Sequence, residues 1–159
     1  MFLILFIYFS ISSYGSTNVY AASSPCEYYQ ELTSDLGCHK DNYLIKFAYY
    51  YCKRFEKKEY KFSAHGQRFL QNTRVCLIKK MDDAIHDFWL NDIVSSENTC
   101  NKIAAIGYAS HIPCYLENRF CALSRSDRRR ITLTLGREIL NRNVYRVRRA
   151  IYRQCGLQL

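Results

Sequence analysis

Eight cysteines, at positions 26, 38, 52, 76, 100, 114, 121 and 155, are spread along a chain of 159 residues. No two of them form the Cys-x-x-Cys spacing that a zinc site of thiolates wants, and the four histidines, His39, His65, His86 and His111, follow no ligand spacing. An even number of separated cysteines in an exported chain reads instead as four structural disulfides. Export itself is expected from the first 21 residues, MFLILFIYFSISSYGSTNVYA, which hold no Asp, Glu, Lys or Arg. Their apolar run, Phe2 to Phe9, falls short of the roughly 20 residues that span a bilayer. Small residues at Val19-Tyr20-Ala21 suit signal peptidase, although the usual basic residue before the apolar run is missing. Residues 1–21 are therefore read as a signal peptide and 22–159 as one mature domain, long enough for a modest core.

No charged residue is lost with that leader, so the mature chain keeps the formal net charge of +9. Such a balance favours anionic partners, heparan sulfate or an acidic protein face. Nucleic acid is not expected in an exported chain without a recognition motif.

Strand signals are sparse, with no Asn-Gly or Asp-Gly turn, while helical spacing recurs. Leu77, Met81, Ala84 and Phe88 line one helical face, and Leu140, Val144, Val147 and Ile151 line another. About four main helices are predicted. The first covers roughly 40–57, and the second runs from an N-cap at Ser63 to about Leu90. A third covers 97–110 and ends before Pro113, and a fourth runs from an N-cap at Ser126 to about Gln154. A short helix near 27–34 precedes them. The expected fold class is all-α, a disulfide-stapled helical domain.

From Cys52 onward the intervals between cysteines hold 23, 23, 13, 6 and 33 residues. Within them stand Cys52-Lys53-Arg54-Phe55, Lys61-Phe62 with Gly66 and Phe69, and Cys114-Tyr115. In this spacing and these markers the chain resembles the stanniocalcins, secreted hormone-like glycoproteins, over roughly Cys26 to Cys155. It departs from them in three respects. The Cys76–Cys100 interval is longer, with the insertion placed near "DFWLNDIVSSEN" at 87–98. Two cysteines expected between Cys38 and Cys52 are missing. The C-terminal segment that links stanniocalcins into dimers does not follow Cys155, so an interchain disulfide is not expected and any homodimer would be non-covalent. The only glycosylation signal is the weak Asn98-Thr99-Cys100.

The resemblance implies hormone or paracrine activity in calcium and phosphate homeostasis, exerted by binding a receptor or extracellular protein. Some family members inhibit a metalloproteinase, which stands as the alternative beside a heparin-binding effector. It also implies the bridges Cys38–Cys52, Cys76–Cys114 and Cys121–Cys155. The family partners of the remaining two cysteines are the missing ones, so a Cys26–Cys100 bridge is expected as the repair.

Two local features carry the remaining functional weight. Arg142, Arg146, Arg149 and Arg153 lie at helical spacing opposite the apolar stripe of the fourth helix, with Arg128, Arg129 and Arg130 at its start. They form either an anion-binding ridge or an ordinary solvated face. Tyr49, Tyr50 and Tyr51 cannot all be buried on one helix, so one ring should be exposed. "MDDAIHDF" places a His-Asp pair on a helix, but the flanking cysteines and calcium loop of a secreted phospholipase are missing. Asp82 and Asp83 diverge by about 100° on a helix and make no acid/base pair. No metal, cofactor or enzymatic activity is expected.

Overall fold

The structure, a computed structural model, describes residues 24–90 and 97–158; the expected signal peptide and the centre of the expected insertion at 87–98 lie outside them. Among the described residues there are six α-helices and no strand: α1 (Tyr28–Asp35), α2 (Tyr50–Lys58), α3 (Ala64–Leu90), α4 (Glu97–Glu117), α5 (Arg125–Leu135) and α6 (Arg142–Gln154). The all-α, disulfide-stapled class holds. A π-helical stretch, Leu44–Tyr49, leads into α2. Its start is capped by Asn42, whose Oδ1 accepts from Leu44 N at 2.6 Å and Ile45 N at 3.3 Å.

The two long helices form an antiparallel spine, α3 with 27 residues spanning about 40 Å. The Phe69 ring meets Tyr115 at 5.1 Å, Cys76 is bonded to Cys114, and Met81 and Ile85 share a core with Ile103. At one end of the spine, Leu32 of α1, Leu36 just after it, and Leu44 and Ala48 before α2 pack against Met81, Ile85 and Ile103. At the other, Phe62, Phe69 and Leu70 pack with Phe120, Leu123, Ile131 of α5 and Ile151 of α6.

Two helix boundaries differ from expectation. α4 does not stop before Pro113 but runs through it to Glu117. A proline inside a helix costs about 3 kcal/mol, because the carbonyl four residues back loses its donor. The next residue, Cys114, is 0% exposed and bonded to Cys76. A bridge over such an interval is worth a similar amount, about 3–4 kcal/mol, so tertiary attachment offsets the break. The expected fourth helix is two helices, and its N-cap is Ser124 rather than Ser126: Ser124 Oγ accepts from Asp127 N at 3.0 Å. Gly136, at φ 61° and ψ −129°, takes a conformation that L-residues avoid and ends α5. A 3-10 stretch, Gly136–Leu140, follows before Asn141 caps α6. Leu140, counted on the apolar stripe, therefore sits outside α6 and is 82% exposed.

All eight cysteines are bonded: Cys26–Cys52, Cys38–Cys100, Cys76–Cys114 and Cys121–Cys155. The expected Cys38–Cys52 and Cys26–Cys100 bridges are thus corrected, and the reason is α1. This helix holds Cys26 and Cys38 at opposite ends, where each meets a different neighbour. At its start, Ser24 Oγ donates to Glu56 Oε1 at 2.8 Å and Lys53 Nζ reaches Glu27 at 3.2 Å, which sets Cys26 beside Cys52. At its end, the turn through Gly37 returns Cys38 N to Thr33 O at 3.0 Å, and Cys38 lies with its Cα 6.0 Å from that of Cys100. Cys52 and Cys76 still tie the α2–α3 unit to two different neighbours.

The Asp127 carboxylate, 0% exposed, joins the starts of α3 and α5. It accepts from Ser63 N at 3.1 Å, Ser63 Oγ at 2.6 Å and Ser124 Oγ at 2.8 Å, with Arg130 Nη1 at 3.5 Å. Ser63 Oγ in turn accepts from Gly66 N at 3.1 Å, capping α3. Burial works against charge on Asp127, but the Ser63 and Ser124 donors and the Arg130 charge outweigh it and hold the pKa below the ordinary value.

Two outcomes are expected. Peptide mapping of the native protein should recover Cys26–Cys52 and Cys38–Cys100, and Cys26→Ser should release Cys52 as the free thiol. Release of Cys100 instead would restore the repaired family scheme. Asp127→Asn should lose about 2 kcal/mol at pH 7, where the charged acceptor is fully present. Because the folded pKa is depressed, that advantage is lost as pH falls through it, so the gap between the two proteins in denaturant unfolding should close in acid. A gap independent of pH would show that the charge is not what matters.

Candidate functional site

α6 has two chemically distinct faces. Val144 and Ile151 are 6% and 2% exposed, and Val147 is half-buried against the same core. Opposite them, Arg142, Arg146, Arg149 and Arg153 are all exposed. α6 contains no Asp or Glu, and among the described residues none of these four arginines has an ion-pair partner. Asn141 starts the helix by accepting from Asn143 N at 2.9 Å and Val144 N at 3.5 Å. The Cys121–Cys155 bridge holds its other end.

The arginines of α5 do not extend this ridge as a block. Arg128 is half-buried and donates from Nη1 to the Leu123 carbonyl, and Arg130 pairs with Asp127. Only Arg129 of the three is exposed. The structure thus brings four of the seven candidate arginines onto one helical face and commits two others to internal contacts.

Of the three tyrosines at 49–51, Tyr50 is the exposed one, at 50%. Arg54 lies over its ring at 5.8 Å and bonds its hydroxyl at 3.0 Å. Tyr51 turns inward and donates to the Leu135 carbonyl at 3.1 Å, closing the end of α5. In "MDDAIHDF", Asp82 accepts from Tyr28 OH at 2.6 Å, Asp83 pairs with Lys79 at 3.0 Å, and His86 is exposed. Among the described residues no group of three or more His, Cys, Asp or Glu could hold a metal, and no helix is long and apolar enough to cross a membrane.

A second site had no signal in the residue spacing. Rings form a chain between the two cores: Tyr43 on Phe47 at 5.4 Å, Phe47 to His111 at 6.2 Å, His111 to Tyr115 at 5.7 Å, Tyr115 on Phe120 at 5.5 Å, and Phe120 to Tyr152 at 5.7 Å. Beside this chain lies a cavity of about 120 Å³ lined from α2, α3, α4, α5 and α6. Burial pushes the phenols of Tyr115 and Tyr108 up to about 12. His111 Nδ1 lies 2.7 Å from the Gly107 carbonyl, which only accepts, so Nδ1 carries the proton. Burial disfavours a second proton and lowers the His111 pKa, against the opposing pull of that carbonyl.

His111 should therefore be the neutral Nδ1–H tautomer in nitrogen NMR, titrating below its ordinary value of about 6.5. Since the unfolded chain takes up that proton more readily, His111 should cost stability as pH falls below about 6.5. A midpoint at or above the ordinary value would overturn the assignment. No family model, curated protein or solved structure matches the chain.

Proposed function

We propose that the chain is a secreted, non-catalytic regulator of the stanniocalcin type, acting in calcium and phosphate handling by binding. In this reading the ridge of α6 is its contact surface for a sulfated glycan at the cell surface. The four disulfides, and a described region without a membrane-spanning helix, are compatible with secretion. The family reading rests on the cysteine spacing and its marker residues. The observation that carries the binding reading is the ridge itself, four exposed arginines on one helical face without ion-pair partners among the described residues.

Like charges three or four residues apart destabilise a helix by about 0.2–0.5 kcal/mol per pair, so the three successive pairs together cost about 1 kcal/mol. A polyanion reverses the sign of that term, because each sulfate meets several guanidinium groups and releases bound counterions. Metalloproteinase inhibition, the alternative, would have to be non-covalent, since every cysteine is already bonded.

Replacing Arg142, Arg146, Arg149 and Arg153 together with Gln should weaken heparin binding roughly tenfold at physiological salt and lower the salt needed for elution. The control removes the same charge elsewhere, from exposed Lys40, Lys57, Lys61 and Lys80. Equal shifts for both variants would mean that only net charge matters and would remove the ridge from the proposal. Calcium and phosphate uptake by cultured epithelial cells, with and without added protein, tests the regulatory reading separately.

A further inference from the structure

The cavity between the two cores is more apolar than its polar lining can tolerate. Phe47, Phe69, Leu70, Tyr115, Phe120 and Ile151 are among the side chains that line it. Two lining residues, Thr73 of α3 and Arg148 of α6, hold buried polar atoms, Thr73 Oγ1 and Arg148 Nε, that have no hydrogen-bond partner among the described residues. Thr73 is only 5% exposed. Buried polar groups are normally satisfied, and an exception asks for an explanation.

We propose that this cavity binds a single-ring aromatic carboxylate. Size, wall chemistry and charge each support that class. An apolar cavity of about 150 Å³ takes up benzene, so about 120 Å³ is on the scale of a single ring. Aromatic walls favour offset or edge contacts with another ring. Two guanidinium groups line the space. Arg74 is paired with Glu59 at 3.1 Å, whereas Arg148 has no ion-pair partner among the described residues and sits over Tyr152 at 5.1 Å. The uncompensated charge is therefore that of Arg148, and a carboxylate satisfies it together with the Nε–H. Thr73 Oγ1, from α3, offers a second donor to the same cavity. His111 Nδ1–H is already used by Gly107 and adds no competing cation. The proposal does not depend on the glycan-binding reading, because the cavity lies under the inner face of α6.

Titration of the full mature protein with benzoate, benzene and benzylammonium, followed by NMR and calorimetry, tests it. Benzoate should bind about tenfold more tightly than benzylammonium, with benzene between them. Arg148→Met keeps the stem that covers Tyr152 and should erase the preference for benzoate while leaving benzene binding within about threefold. Thr73→Val, close in shape, should weaken benzoate in the same direction and guards against a folding failure of the first variant. The fourfold Arg→Gln ridge variant should bind benzoate unchanged. Three results would each overturn the proposal: no benzoate binding at millimolar concentration in the unaltered protein, equal binding of the ring anion and ring cation, or loss of benzoate binding in the ridge variant. The first would mean a water-filled core, and the last would place the anion on the exposed arginines.

Discussion

One buried carboxylate holds two helix N-termini together, and the positions of both candidate sites follow from it. Asp127 belongs to the first turn of α5, where a negative charge suits the helix dipole. Its oxygens also serve Ser63, the cap of α3, so one charge satisfies donors from two helices. The approach is close enough to restrict the neighbouring residue. A Cβ on Gly66 would come within 2.9 Å of the Asp127 Cγ, so the hub needs glycine there. With α5 pinned to the start of α3, Ile131 enters the same core as Phe62 and Phe69. The turn at Gly136 then returns the chain as α6, whose Ile151 completes that core.

The spine made by α3 and α4 carries two cores rather than one, and what joins them is aromatic. His111 and Tyr115 stand between Phe47 on one side and Phe120 on the other. Rings packed edge-on and tilted leave gaps that aliphatic chains would fill more evenly. The cavity lies where this junction meets the inner face of α6. Its polar lining is therefore an outcome of helix register. Thr73 lies one turn beyond Phe69 on α3, and Arg148 follows Val147 between two apolar positions of α6.

Sequence patterns that lie within one helix were legible. The run from Ser63 to Leu90 reads directly because its cap, its spacing and its uninterrupted length agree, and α3 begins and ends there within a residue. The arginine ridge reads for the same reason, since α6 alone sets its geometry. Features made by several elements did not read. Gly136 and Asn141 both signal a break, but the apolar Leu140 between them completed a false stripe and hid it. Pro113 was overridden by a bridge from another helix. Arg128 and Arg130 lie beside the exposed Arg129 in sequence, and only the fold around Leu123 and Asp127 withdraws them. The N-terminal bridges failed through an intermediate step. The expected pairs came from the family resemblance, which does not contain the direction of α1 in this chain, and that direction decides which partner each end meets.

Arginine on α6 therefore has two meanings within one short helix. At 142, 146, 149 and 153 the guanidinium groups face solvent, where screening keeps their mutual repulsion near 1 kcal/mol. The helix tolerates this because other terms exceed it. Burial of Val144 and Ile151 contributes about 1.5–3 kcal/mol for each side chain, and the Asn141 cap adds about 1 kcal/mol. Arg148 differs by a rotation of about 100° from Arg149, and that rotation removes its Nε from water without supplying a hydrogen-bond partner among the described residues. The outer arginines are spared desolvation and are free to trade hydration for a multivalent anion. The inner one has already lost part of its hydration, so a small acceptor that reaches it replaces water it no longer has. The two faces thus differ in kind: the outer one is hydrated, multivalent charge, and the inner one is a single cation beside an apolar cavity.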